Sequence, residues 1–173
     1  MRKIIASLAT SADGFIARPD GDVAWLDRPQ PRGNYGMGAF MKSVDTIVMG
    51  RATYDVGKKL GPIVWPGIKT IILSRSLAPD AAEGAVIESG SAPSLVKQWR
   101  RKKGKDIWLM GGAVVFGEFL DAGVLDELTI HVVPVLIGSG IPLLAPKRRA
   151  TELELLSSRK FSDGSVQLRY AVK

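Results

Sequence analysis

Over the first two thirds of the chain, short apolar runs alternate with segments of helical periodicity. Residues 3–9 (KIIASLA) read as a buried strand. Met37, Phe40, Met41 and Val44 recur at i, i+3, i+4 and i+7, the stripe of an amphipathic helix. A strand is expected at 46–50 (TIVMG), a short helix at 52–60, a third strand at 70–73 (TIIL) and a short fourth at 85–87. Residues 92–103 predict a helix with Ser91 as its N-cap and Leu95, Val96 and Trp99 on the inner face. Another buried strand spans 107–110, and another helix 113–122. Such alternation predicts an α/β fold with a mostly parallel central sheet and helices on both faces.

The last third reads differently. Residues 127–137 are a long β-rich run, succeeded by strands at 153–156 and 166–172 joined through Asp163-Gly164, a hairpin turn pair. Val166, Leu168, Tyr170 and Val172 alternate as an inward row, so the sheet is expected to finish antiparallel. Residues 12–36 are rich in Gly and Pro and predict a long loop region of functional weight.

A chain of 173 residues suits one domain, 1–173, and 46% hydrophobic residues suit a globular core. The absence of cysteine excludes disulfides and thiolate metal sites, and a single histidine, His131, leaves no basis for a metal centre. We read His131 as a structural residue within its strand. No apolar run approaches the roughly 20 residues that span a bilayer. The N-terminal stretch is broken by Ser7, Thr10, Ser11 and Asp13, a poor signal peptide, so a cytoplasmic protein without a membrane partner is expected. The net charge of +7 gathers at Lys97–Lys105 and Lys147–Arg149. No nucleic-acid motif accompanies it, so these read as a solvated helix end and a loop, and the charge favours polyanionic cofactors or phosphorylated substrates instead.

Three strand ends carry the candidate chemistry. In IWLMGGAVVFGEFL (107–120) a strand runs into Gly111-Gly112 and then at once into a helix. Glycines let a ligand approach the main chain, and a helix N-terminus offers free N–H donors, so the pair makes either a pyrophosphate cradle or a plain tight turn. In MGRATYD (49–55) Gly50 precedes Arg51, whose planar fork matches phosphate or forms a surface salt bridge, and Thr53, which offers a hydroxyl to a ligand or plainly caps a helix. In LSRS (73–76) Ser74, Arg75 and Ser76 stand at a third strand end. In open α/β sheets ligands gather at the carboxyl ends of strands.

Together these segments resemble the dihydrofolate reductase superfamily, and more closely the reductase (C-terminal) domain of the bifunctional riboflavin biosynthesis enzyme RibD. MGRATYD, IILSRS and MGGAVVFGEFL resemble superfamily segments, and LATSADGFIA and HVVPVLIGSGIPLL resemble the riboflavin branch. The resemblance covers essentially the whole chain, in order. It implies a three-layer dihydrofolate-reductase-like fold, NADPH as cofactor, and hydride transfer to a C=N or C=O bond of a polar heterocycle such as 5-amino-6-(5-phosphoribosylamino)uracil. Arg51, Ser74 and Arg75 would hold the 2′-phosphate. Thr53, Gly112, Ala113 and Val114 would meet the pyrophosphate, Gly50 and Gly111 would also bind the cofactor, and the Gly111-Gly112 peptide would be non-trans. Ala9 and Ile16 would border the nicotinamide.

For the substrate, Asp13 is the expected catalytic acid beside the nicotinamide, either as a proton relay or as a turn aspartate before Gly14. Asn34 occupies the position where dihydrofolate reductases carry their pterin-binding acid, which argues against folate reduction. Tyr54 would either hydrogen-bond substrate or pack on the sheet. Trp25 and Trp65 would stack a planar substrate or cap the core, and Asp27 is a solvated loop residue. No deaminase signature (H-x-E, P-C-x-x-C) occurs, so a stand-alone reductase domain is expected. A dihydrofolate reductase and a non-catalytic nucleotide-binding protein remain the alternatives. The apolar segment 134–144 and the C-terminal strands suggest a homodimer.

Overall fold

A computed structural model describes residues 1–31, 33–144 and 150–173; the basic Lys147–Arg149 cluster lies outside the described residues. Eight strands form one sheet in the order β5-β4-β3-β6-β1-β7-β10-β9. These are β1 (Ile4–Ser11), β3 (Val44–Gly50), β4 (Lys69–Leu73), β5 (Ala85–Glu88), β6 (Asp106–Gly111), β7 (Glu127–Val133), β9 (Leu153–Lys160) and β10 (Val166–Val172). All pairs from β5 to β7 are parallel, and β10 and β9 close the far edge antiparallel.

Alternation along the buried strands divides the core. Ile4, Ala6, Val48, Ile71 and Leu109 face α3 (Ala92–Arg100) and α4 (Ala113–Asp121). Ile47, Met49, Ile72 and Trp108 face the other side, where Tyr54 of α2 (Arg51–Leu60) and Met37, Phe40 and Met41 of α1 (Met37–Ser43) pack. A strand buried on both faces reads as a continuous apolar run, which is why these strands were legible.

The structure corrects several boundaries. β7 stops at Val133, not 137, because Pro134 lacks the N–H a ladder needs. β9 runs on to Lys160, past the predicted 156, as an edge strand exposed along its whole length. The Asp163-Gly164 turn is a five-residue connection, in which Phe161 N–H donates to the Ser165 carbonyl at 2.9 Å. Val166, Leu168, Tyr170 and Val172 are only half-buried, since the sheet extends beyond its helices there. α3 ends at Arg100, and Ser91 sits at its N-cap position without a side-chain cap bond. Within the predicted 12–36 loop, β2 (Phe15–Ala17) pairs antiparallel with β8 (Ile141–Pro142) and ties the loop to the 134–144 segment. Among the described residues no helix is long and apolar enough to cross a membrane.

Candidate functional site

The carboxyl ends of β3, β4 and β6 open into one cleft of about 1010 Å³. Its walls include Gly50, Arg51 and Thr53; Ser74 and Arg75; and Gly111, Gly112, Ala113 and Val114. Ala9 and Ile16 line it from β1 and β2. Every residue the sequence assigned to the cofactor thus meets in one groove.

Two helix N-termini flank that groove. Gly50 and Gly112 are the N-caps of α2 and α4, and neither helix has a side-chain cap. Their first N–H groups are therefore open to a ligand, at the positive ends of two helix dipoles. The termini are also pressed together. A Cβ on Gly50 would lie 2.7 Å from Cγ2 of Val115, and one on Gly112 would lie 3.1 Å from Oγ1 of Thr53. The Gly111-Gly112 peptide is cis, as the resemblance implied, and Gly111 has a φ of +116°, a region favoured by glycine. This pair of glycine-lined N-termini suits a pyrophosphate.

Next to it, Arg51 Nε donates to Asp55 at 2.7 Å across one helical turn. Its terminal nitrogens make no hydrogen bond among the described residues. The Ser74 hydroxyl oxygen accepts from the amides of Ser76 and Leu77 at 3.2 and 3.1 Å, which orients the turn, and lies 3.5 Å from the Ser76 hydroxyl.

Beyond Ala9 the cleft changes character. His131 of β7 stands directly beside Ala9 in the β1–β7 register and lines the cleft. Gln167 Nε2 lies 3.3 Å from His131 Nε2 and also donates to the Tyr35 carbonyl at 3.5 Å. An amide nitrogen is a donor only, so His131 Nε2 accepts and Nδ1 carries the proton. Burial lowers the His131 pKa, which keeps the ring neutral. Tyr35 packs edge-on to His131 at 5.9 Å, and its hydroxyl donates to Asp163 at 2.7 Å. Arg28 adds a bond to the Asp163 carbonyl at 3.2 Å. The β9–β10 turn thereby holds the loop that carries Asn34 and Tyr35 over the cleft, both with positive φ. Burial, and then Asp163, raises the Tyr35 pKa; the Ser165 hydroxyl, ahead of Tyr35, lowers that of Asp163.

The expected substrate residues divide. Asn34 lines the cleft. Asp13 does not: its carboxylate accepts from the amides of Ile137 and Gly138 at 3.2 and 2.8 Å. The neighbouring Ser11 hydroxyl, and after it those amides, lowers the Asp13 pKa. The turn-aspartate alternative therefore describes its contacts. Tyr54 is buried in the second core cluster and Trp25 is buried between the cleft residues Val23 and Leu26, so neither lines the cleft. Trp65 packs against Trp108. His131, Tyr35, Gln167 and Asp163 were missed as site residues. One signal was available: His131 and Ala9 sit on adjacent parallel strands, but their pairing needs the register.

The buried imidazole gives a pH prediction. The unfolded chain binds a proton near pH 6.5, the ordinary histidine value, whereas folded His131 binds one only at lower pH. Stability is expected to fall as pH drops below that value. Urea titrations of the wild type and His131→Gln across this range should show a shallower slope in the variant.

Residues 2–167 match the protein family described as RibD C-terminal domain. The chain is 35% identical over 171 residues to the uncharacterized protein YwjB of Bacillus subtilis (strain 168), covering 98% of this chain and 97% of that protein. It is similar to a putative riboflavin biosynthesis protein from Shewanella sp. PV-4, with 29% identity, a TM-score of 0.86, and coverage of 100% and 99%. A diaminohydroxyphosphoribosylaminopyrimidine deaminase/5-amino-6-(5-phosphoribosylamino)uracil reductase from Thermotoga maritima shares the fold at 17% identity and a TM-score of 0.77, over 99% of this chain and 57% of its own. A dihydrofolate reductase from Enterococcus faecalis complexed with NADP(H) shares it at 22% identity and a TM-score of 0.68, over 99% and 96%.

Proposed function

The chain belongs to the RibD C-terminal domain family, and from that premise we propose that it is a cytoplasmic NADPH-dependent reductase acting on a phosphoribosylamino-pyrimidine or a similar polar heterocycle. The observation that carries this reading is the convergence of Arg51, Ser74 and the Gly111-Gly112 step on one cleft. NADPH supplies the hydride when bound. The uncapped N-termini of α2 and α4 bind the pyrophosphate, with Thr53 beside them. Arg51 and Ser74, with Arg75, bind the 2′-phosphate by charge-assisted hydrogen bonds. Ala9 and Ile16 border the nicotinamide.

On the substrate side, His131 Nδ1–H donates to an acceptor of the heterocycle, and Asn34 lies on the same wall. Asp13 acts as a positioning residue, through the 137–138 loop. The apolar walls exclude water, so that orientation rather than acid strength supplies most of the rate. Exposed Leu153, Leu155 and Leu156 on β9 favour a homodimer built on that edge.

Steady-state NADPH oxidation with 5-amino-6-(5-phosphoribosylamino)uracil and with dihydrofolate tests the reading. The pyrimidine is expected to be turned over and dihydrofolate to be a poor substrate. Efficient dihydrofolate reduction would replace this reading with that of a dihydrofolate reductase. NADPH binding without oxidation of either would favour a nucleotide-binding protein.

A further inference from the structure

Gln167 of β10 is the register partner of His131 of β7, and its amide nitrogen has two neighbours. One is the Tyr35 carbonyl oxygen, at 3.5 Å, and the other is His131 Nε2, at 3.3 Å. A backbone carbonyl only accepts, so it requires the amide to present its nitrogen and not its oxygen. With that end fixed, the second N–H of the amide meets Nε2, which must then be the bare nitrogen of the ring. His131 lines the cleft and Gln167 does not, so the amide stands behind the imidazole. The two nitrogens of a five-membered ring point nearly opposite ways. Nδ1–H is therefore directed away from Gln167.

The carbonyl that sets the amide is itself held. The Tyr35 hydroxyl donates to Asp163 at 2.7 Å, and its ring packs edge-on against Phe161 at 5.0 Å and against His131 at 5.9 Å. The β9–β10 connection thus anchors the residue that orients Gln167. Turning the amide over would set its oxygen against the Tyr35 carbonyl oxygen. Moving the ring proton to Nε2 instead would press two donors together in a half-buried place, at the cost of a lost hydrogen bond. No carboxylate is paired with His131 among the described residues, so the amide is the group that decides the tautomer.

We infer that Gln167 is a positioning residue that holds His131 as a one-way hydrogen-bond donor. The cleft thereby selects a substrate that presents a lone pair to His131, from a carbonyl oxygen or an unprotonated ring nitrogen, over one that presents an N–H. The substrate part rests on the reductase reading above; the role of Gln167 on the ring does not.

Nitrogen NMR of 15N-labelled protein tests the assignment. His131 is the chain's one histidine, so its two ring nitrogens are read without ambiguity, and bare and protonated nitrogens have well-separated shifts. At about pH 9, well above the ordinary histidine range, the wild type is expected to show a protonated Nδ1 and a bare Nε2. Gln167→Glu, whose carboxylate only accepts, should place the proton on Nε2. Gln167→Leu, which offers neither donor nor acceptor, should leave a mixture of the two tautomers. A protonated Nε2 in the wild type, or a bare Nε2 that survives both substitutions, overturns the proposal. Turnover of 5-amino-6-(5-phosphoribosylamino)uracil at the same pH supplies the second arm. Gln167→Glu should lower kcat/KM about tenfold or more with NADPH affinity unchanged, and Gln167→Leu should lose less, in step with the Nδ1–H it retains. Unchanged kcat/KM in a variant whose proton has moved overturns the substrate part. A wild type that turns over nothing, with the ring shifts as expected, would sink the reductase reading and the substrate part with it, and leave the role of Gln167 standing.

Discussion

Gly50→Ala is expected to destabilise the protein by about 1–3 kcal/mol, the usual cost of overpacking, and to weaken NADPH binding about tenfold. The new methyl would lie 2.7 Å from Cγ2 of Val115, a side chain only 8% exposed in the first turn of α4. Valine in a helix has one strongly preferred rotamer and cannot swing clear. Either α2 or α4 must shift, and their N-termini are the two that flank the cleft. Adding Val115→Ala removes the obstruction, so the double variant should recover much of both losses. Urea denaturation and NADPH-quenched tryptophan fluorescence would measure them. A single variant with full stability and affinity would mean that the two N-termini do not depend on close contact.

Phe119→Ala is expected to cost about 3–5 kcal/mol, the range for a large aromatic removed from a core. Phe119 is 1% exposed and stacks on Trp99 of α3, with ring centres 6.1 Å apart and planes 20° apart. It anchors the helix whose N-terminus carries Gly112. Val114 provides the contrast, since it stands on the same helix but is 65% exposed. Val114→Ala should change stability by no more than about 0.5 kcal/mol, as surface substitutions usually do. Equilibrium urea curves for the two variants would separate anchoring from cleft contact. Equal, small losses would contradict the assignment of Phe119 as the anchor.

The half of the cleft proposed for the cofactor was readable because it is local. Gly50-Arg51, Ser74-Arg75 and Gly111-Gly112 each stand where a strand ends and the chain turns, within a few consecutive residues, so spacing alone displays the chemistry. The substrate half is assembled across the sheet and could not be read in that way. His131 meets Gln167 only through the β7–β10 register, and Tyr35 reaches Asp163 from 128 positions away. Asp13 misled for a related reason: its place after β1 suggested the cleft, but the amides that hold it come from residues 137 and 138. The extension of β9 beyond Leu156 escaped because Ser157 to Lys160 carry no apolar alternation, as befits a strand with no buried face. Tyr54 and Trp25 show the limit of residue type as a guide. Each was a fair candidate for substrate contact; Tyr54 packs in the second core cluster, and Trp25 is buried away from the cleft walls.

Titration of the wild type and Arg51→Ala with NADPH and NADH tests the central claim most directly. The Arg51–Asp55 pair is exposed on both sides, at 46% and 47%, and such pairs add little to stability, so the variant should fold normally. A charge-assisted hydrogen bond to phosphate is worth about 1.5–3 kcal/mol, which corresponds to roughly a 10- to 150-fold effect on affinity. The wild type should therefore prefer NADPH by about that factor, and Arg51→Ala should bind both cofactors with nearly the affinity that the wild type has for NADH. Equal binding of the two by the wild type, or an NADPH preference that survives the substitution, would contradict the account.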